Sequence, residues 1–194
     1  MAAGWTPSAV TTFAEINACA ILALLSRVST GEASPMSTES RLAFMRRAIS
    51  LATENVRSGR GGPFGSVIVR DGVILAEAAN SVTEASDPTA HAEINAIRQA
   101  CGELGTFSLS GCVIYTSCEP CPMCLAAIYW ARIDAIYYGN TAAEAACVDF
   151  DDAFLYRELA LPRETRVIPS ERLLGEEAWE SFRVWQHSTA RVKY

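Results

Sequence analysis

The sequence predicts an α/β fold, a layered sheet with helices packed against it. Three observations carry this expectation. Apolar residues recur at helical spacing in separate segments, short β-branched runs lie between those segments, and one Asp-Gly pair marks a hairpin turn. In chain order they read α-β-β-α-β-α-β, an alternation that leads to a sheet covered by helices.

In the first segment Leu42, Met45, Ile49, Ala52 and Val56 recur at helical spacing, with Arg46, Arg47 and Glu54 off that face. This predicts an amphipathic helix of four or five turns. The run "SGRGGP" ends it. "FGSVIVRDGVILAEAAN" then reads as a hairpin, with β-branched Val67, Ile68 and Val69 before the turn pair Asp71-Gly72. "SDPTAHAEINAIRQACGELG" predicts a second helix, capped by Asp87 or Thr89, with Ile94, Ile97 and Cys101 or Leu104 inward. "CVIYTS" reads as a buried strand, Cys121 to Arg132 as a third helix and "IDAIYYG" as another strand. Beyond Asn140 the pattern weakens. "TAAEAACVDFDDAFLYRELALP" is partly helical, Pro162 and Pro169 interrupt the chain, and Ala178, Phe182 and Trp185 predict a terminal helix with a docking face.

Half of the 194 residues are hydrophobic, sufficient for a substantial core. The net charge of −6 disfavours a nucleic-acid partner, because binding to a phosphate backbone rewards Lys and Arg. Residues 1–35 stand apart as an N-terminal extension, weakly structured or peripheral, and the fold is expected to begin near Met36. The apolar patch Ala18 to Leu25 is shorter than the roughly 20 residues a membrane span needs, and Glu15 without a basic start does not suit a signal peptide. Seven cysteines, an odd number and without a secretory leader, favour a reducing compartment, so a cytoplasmic location with no membrane partner is expected.

The chemistry concentrates in two places. His91 and Glu93 open the second helix, and Cys121 and Cys124 open the third behind Pro120 and Pro122. The spacing of Cys121 and Cys124 puts both on one helical face, and a helix N-terminus favours thiolate. A Cys-x-x-Cys pair alone suits a redox couple or a structural zinc site that recruits Cys118. One histidine and two cysteines leave a tetrahedral zinc with an open position, the mark of a catalytic site. Glu93 is one acid more than the metal needs and fits a general base. His-x-Glu followed by Pro-Cys-x-x-Cys is the signature of zinc deaminases.

At these residues the chain resembles the cytidine-deaminase superfamily and, within it, guanine deaminases of bacterial type. The resemblance runs from about Met36 to Tyr194, through "GGPFGSVIVRDG", "DPTAHAEINAIR", "YTSCEPCPMCLAAIYWAR", "FDDAFLYREL" and the final "KY". It implies a three-layer fold with a five-stranded mixed sheet between helices, Zn2+ on His91, Cys121 and Cys124, and hydrolysis of guanine to xanthine and ammonia. It implies that Glu93 carries protons from water to a ring nitrogen and the departing amine. It further implies Asn80 on the purine, Phe64 lining the base pocket, Asp152 at the exocyclic amine and Tyr194 closing the site. Glu144 is the neighbouring acid that could stand in for Asp152. A homodimer is implied, with the C-terminal segment (151–194) closing the site and exchangeable between subunits. Other amino-substituted bases or nucleosides, adenosine in tRNA, and a non-catalytic zinc-binding module are the rival readings.

Overall fold

The structure, a computed structural model, describes residues 36–193. The N-terminal extension and Tyr194 lie outside the described residues. Helix α1 spans Thr38–Arg57, and the Ser37 side chain caps it by accepting a hydrogen bond from Ser40 N. The helix is where the periodicity puts it, but its inward face is rotated. Ala48, Ala52 and Asn55 are buried, with Phe44, Met45 and Leu51 packed beside them. Leu42, Ile49 and Val56 of the expected face are 45%, 46% and 52% exposed. Small Ala48 wins the sheet-facing position because β1 approaches closely there.

Strands β1 (Gly65–Arg70) and β2 (Val73–Ala79) form the expected antiparallel hairpin. Asp71 and Gly72 both have positive φ, 50° and 77°, as a two-residue turn matched to the strand twist requires. After the short helix α2 (Val82–Ala85) comes α3 (Ala92–Leu104). Its N-cap is His91, whereas the sequence suggested Asp87 or Thr89; the Asp87 carboxylate instead accepts from Thr89 N and Oγ1 in the preceding turn. Ala92, Glu93, Ala96 and Ala100 form its buried face, and the larger Ile97, Cys101 and Leu104 pack around that face. Strand β3 (Cys112–Cys118), helix α4 (Pro122–Trp130) and strand β4 (Ala135–Asn140) follow.

The sheet order is β2-β1-β3-β4. β1 pairs antiparallel with β2 and β3, and β3 pairs parallel with β4. Side chains alternate between two cores. Val67, Val69 and Tyr115 meet α1, while Ile68, Ala76 and Ile114 meet Ala96 and Ala100 of α3 and Ile128 of α4. This gives the three layers expected. The bidentate pair of Arg47 with Glu77 ties α1 to the edge strand β2, with Nε donating to Oε2 at 2.8 Å. That bond holds the Glu77 carboxyl below its ordinary range.

Among the described residues the sheet has four strands where the resemblance implied five. Past β4 the chain turns into helices α5 (Ala142–Ala146), α6 (Ala153–Ala160) and α7 (Gly175–His187), with a 3₁₀ turn at Arg163–Thr165. The segment has no alternating apolar run to extend β4, and Pro162 and Pro169 remove two ladder donors. Neither α6 nor α7 buries a residue. The face expected to dock through Phe182 and Trp185 is bare, at 58% and 42% exposure. No helix among the described residues is long and apolar enough to cross a membrane.

Two glycines give opposite expectations. A Cβ on Gly65 would sit 2.3 Å from Ala48 O and 2.7 Å from Ala52 N, so Gly65→Ala must push α1 off the sheet. Gly102 is helical and meets nothing within 4 Å. In urea unfolding, Gly65→Ala should lose about 1–3 kcal/mol, and Gly102→Ala should gain about 0.5–1 kcal/mol.

Candidate metal centre

All four strands bring residues to one end of the sheet. β1 begins there after Phe64, and β2, β3 and β4 end there at Ala79, Cys118 and Asn140, as the pairings Gly65↔Ala79 and Cys118↔Asn140 require. Gly65 N donates to Ser117 Oγ across this end, at 3.0 Å. Helices α3 and α4 start beside it. His91 and Cys121 are the N-caps of these helices, both in extended conformation, and neither spends its side chain on a capping hydrogen bond. Pro122 follows at the first helical position, where its missing N–H costs nothing. Cys124 sits one turn in.

The donor atoms of His91, Cys121 and Cys124 lie within 4.8 Å of one another. His91 Nδ1 is 3.6 Å from Cys121 Sγ and 3.4 Å from Cys124 Sγ. A tetrahedral zinc with ordinary Zn–N and Zn–S bonds needs such donors about 3.6 Å apart, so the set fits the ion. Among the described residues the cluster has these three members, which leaves the fourth position open. Cys118 is not one of them. Its thiol points to Thr141 O at 3.8 Å and is pushed up to about 11, chiefly by burial.

The charges around the cluster are strongly coupled. The Cys124 thiol donates to Cys121, which holds Cys121 down to about 4 despite burial; the same hydrogen bond raises Cys124. His91 is raised by its bond to Cys121. Glu93 is 6% exposed, and burial pushes its carboxyl up. A buried carboxyl raised in this way is suited to carrying protons in both directions near neutral pH.

Asp152 is half-buried, and burial followed by the charge of Cys121 raises its carboxyl. It is the N-cap residue of α6 but makes no capping hydrogen bond, while Asp151 Oδ1 accepts from Ala153 N at 2.8 Å. Glu144 is engaged otherwise. It completes a capping box with Thr141, accepting from Thr141 N at 2.8 Å.

At the same end of the sheet lies a cavity of about 350 Å³, lined by Phe64, Cys118, Asn140, Glu144, Val148 and Phe150 among others, with none of the three donors or Glu93 in its lining. Phe64 and Phe150 meet edge to face, with centroids 4.9 Å apart. Phe150 was not singled out from the sequence as a site residue, although it is the first letter of the "FDD" stretch. Asn80 is 7% exposed, and its Oδ1 accepts from Val82 N at 3.3 Å. That bond orients the amide, and no hydrogen bond from its Nδ2 occurs among the described residues.

The profile of the cytidine and deoxycytidylate deaminase zinc-binding region matches residues 38–140. The chain belongs to the cytidine deaminase superfamily. It is 50% identical to the guanine deaminase of Bacillus subtilis over 151 residues, which is 78% of this chain and 97% of that one. The crystal structure of that guanine deaminase superposes with a TM-score of 0.78, at 49% identity, covering 82% of this chain and 99% of the other. A tRNA-specific adenosine deaminase of Agrobacterium fabrum is 46% identical over 87 residues, 45% of this chain and 57% of its own. Zinc is thus the metal that both the donor geometry and the family supply.

Cys124→Ala should reduce zinc by elemental analysis from one ion per chain to a small fraction of that, and should lower the melting temperature. Cys118→Ala should leave zinc content at one per chain.

Proposed function

We propose that this protein catalyses the zinc-dependent hydrolytic deamination of guanine to xanthine and ammonia. The observation that carries the reading is the extent of the likeness. It takes in 97% of the Bacillus subtilis guanine deaminase at 50% identity over 78% of this chain, whereas two tRNA-specific adenosine deaminases match at 46% and 34% identity over 45% and 59% of this chain. A zinc region common to several deaminases does not choose a substrate; the residues around the base do. The net charge of −6 also speaks against an RNA substrate.

His91, Cys121 and Cys124 would hold the zinc ion, which would supply Lewis-acid activation of water near neutral pH. Glu93 is the proton carrier. It takes one proton as water adds to C2 of the base and delivers it to a ring nitrogen, then takes the second from the new C2 hydroxyl and delivers it to the departing amine. The C2–N bond breaks with its electrons on nitrogen, ammonia leaves, and C2 becomes the carbonyl of xanthine. Asp152 faces the exocyclic amine and assists its protonation. Asn80 donates its free Nδ2 to the purine, and the Phe64 ring packs on the base. Proton transfer by a positioned carboxylate is worth roughly 10²–10⁴-fold.

The working form is a homodimer in which the C-terminal segment closes the site. α6 and α7 support this reading, because Leu159, Trp179 and Phe182 are 62%, 49% and 58% exposed in the single chain. A second copy offers these apolar faces a partner and lets Tyr194 cover the base. We place the enzyme in the cytoplasm, where reducing conditions keep the ligating thiols available.

An ammonia-release screen over guanine, guanosine, cytosine, cytidine, adenosine and ammeline tests the substrate. Guanine should lead in kcat/KM by at least about tenfold, and Glu93→Gln should keep zinc while losing about 10²-fold or more in kcat. Faster release from another substrate would replace guanine. Deleting residues 191–194 should spare zinc content but raise KM sharply. Mixing that variant with Glu93→Gln, under subunit exchange, should restore one working site per heterodimer. Recovery absent after confirmed exchange would remove the exchanged tail.

A further inference from the structure

Asn55 is the one polar side chain on the buried face of α1, at 2% exposure. An amide in that position is costly unless its hydrogen bonds are made. Its Nδ2 carries two hydrogens, and both go to backbone carbonyls outside α1, in two different segments. Gly62 O accepts at 3.0 Å and Asn80 O at 2.8 Å. The same two segments are also tied directly, since Asn80 N donates to Phe64 O at 3.0 Å. A third constraint is steric. A Cβ on Gly61 would lie 2.4 Å from Asn80 O and 2.9 Å from Asn55 Nδ2, so the loop is pressed against this junction. From the other side Asn95 of α3 donates through Nδ2 to Ala79 O at 3.1 Å and Ser81 Oγ at 3.0 Å.

We propose that Asn55 is a positioning residue for base recognition, whose single amide locks the Gly62–Phe64 loop and the Asn80 segment together as one wall of the base site. The proposal rests on the reading of Asn80 and Phe64 as base contacts. Its physical content is that neither contact is held by its own side-chain packing alone. Phe64 stands on a loop of two glycines and a proline, and Asn80 stands at the end of an edge strand, where backbone groups have few partners. Two hydrogen bonds from one amide on helix α1 fix the spacing between them. The zinc donors and Glu93 stand on α3 and α4, which Asn55 does not bond, and Asn95 joins α3 to Ala79 O and Ser81 Oγ independently of Asn55, so loss of the clamp acts on substrate binding and leaves the proton chemistry in place.

The test uses the full-length, zinc-loaded protein. Asn55→Ala removes both donors. The expected result is a KM for guanine raised by about tenfold with kcat changed less than about twofold, at one zinc per chain. In an Asn80→Ala background the same substitution should add less than about twofold, because both changes act on one contact. Gly61→Ala, whose Cβ presses on Asn80 O and the Asn55 amide from the loop side while leaving the residues of α1 unchanged, should give the same rise in KM and decides the matter if Asn55→Ala does not fold. An unchanged KM in the variants that fold, a loss confined to kcat, or full additivity with Asn80→Ala would overturn the proposal. Should Asn80→Ala alone leave KM unchanged, the reading of Asn80 falls and takes the clamp with it. If Asn80→Ala raises KM while Asn55→Ala and Gly61→Ala do not, the clamp alone is wrong.

Discussion

The structure depends on two helix N-termini being brought to one point. His91 and Cys121 cap α3 and α4, and Glu93 and Cys124 lie within the first turn of each. A helix start is electropositive, with N–H groups that no carbonyl of the same helix accepts. Gathering two of them favours the anionic side chains that ligate a cation and move protons. A cation alone would be repelled by such a place, and anions alone would repel one another. Thiolates, carboxylate and metal together balance the field.

The sheet exists to hold that point still. Its central strand β3 is buried almost throughout, and the strand termini at one end carry Phe64, Asn80, Cys118 and Asn140. Small residues make the close approach possible. Ala96 and Ala100 let α3 lie near the sheet, and Ala48 with Gly65 does the same for α1 on the opposite face. The C-terminal helices are built differently. They bury nothing in the described chain, and Tyr156 Oη donating to Pro120 O at 3.4 Å is one tether to the metal loop. The sheet with its metal donors and the exposed helices beyond it are the two parts of the described chain.

The metal donors and Glu93 were legible because their chemistry is local. Each sits at a fixed offset from a helix start, and proline, spacing and residue type declare the start. The Asp71-Gly72 turn was legible for the same reason, since it needs two positive φ values and names the residues that tolerate them. The inward face of α1 was misread because its apolar residues span more than one face. Leu42, Ile49 and Val56 match a helical stripe as well as Phe44, Ala48 and Leu51 do, and the tight approach at Gly65 chooses between them. Asn55 was invisible, because a polar letter on an amphipathic helix reads as outward. Only the positions of two distant carbonyls turn it inward. Phe150 lay among acids in a stretch without periodicity, and its role depends on where the chain returns after β4. The fifth strand came from resemblance alone, and no alternating pattern past Asn140 supported it.

Ser37 spends its hydroxyl on the first turn of α1, an investment worth about 0.5–2 kcal/mol at such a position. His91 and Cys121 hold the same position on their helices and make no such bond. Their side chains are kept instead for the ion that both would share. The ion therefore stitches together two segments that lie far apart in the chain, and the order of α3 and α4 becomes a property of metal supply as well as of sequence. A cell short of zinc would hold this protein with two frayed helix starts, more open to proteolysis, as well as without its chemistry.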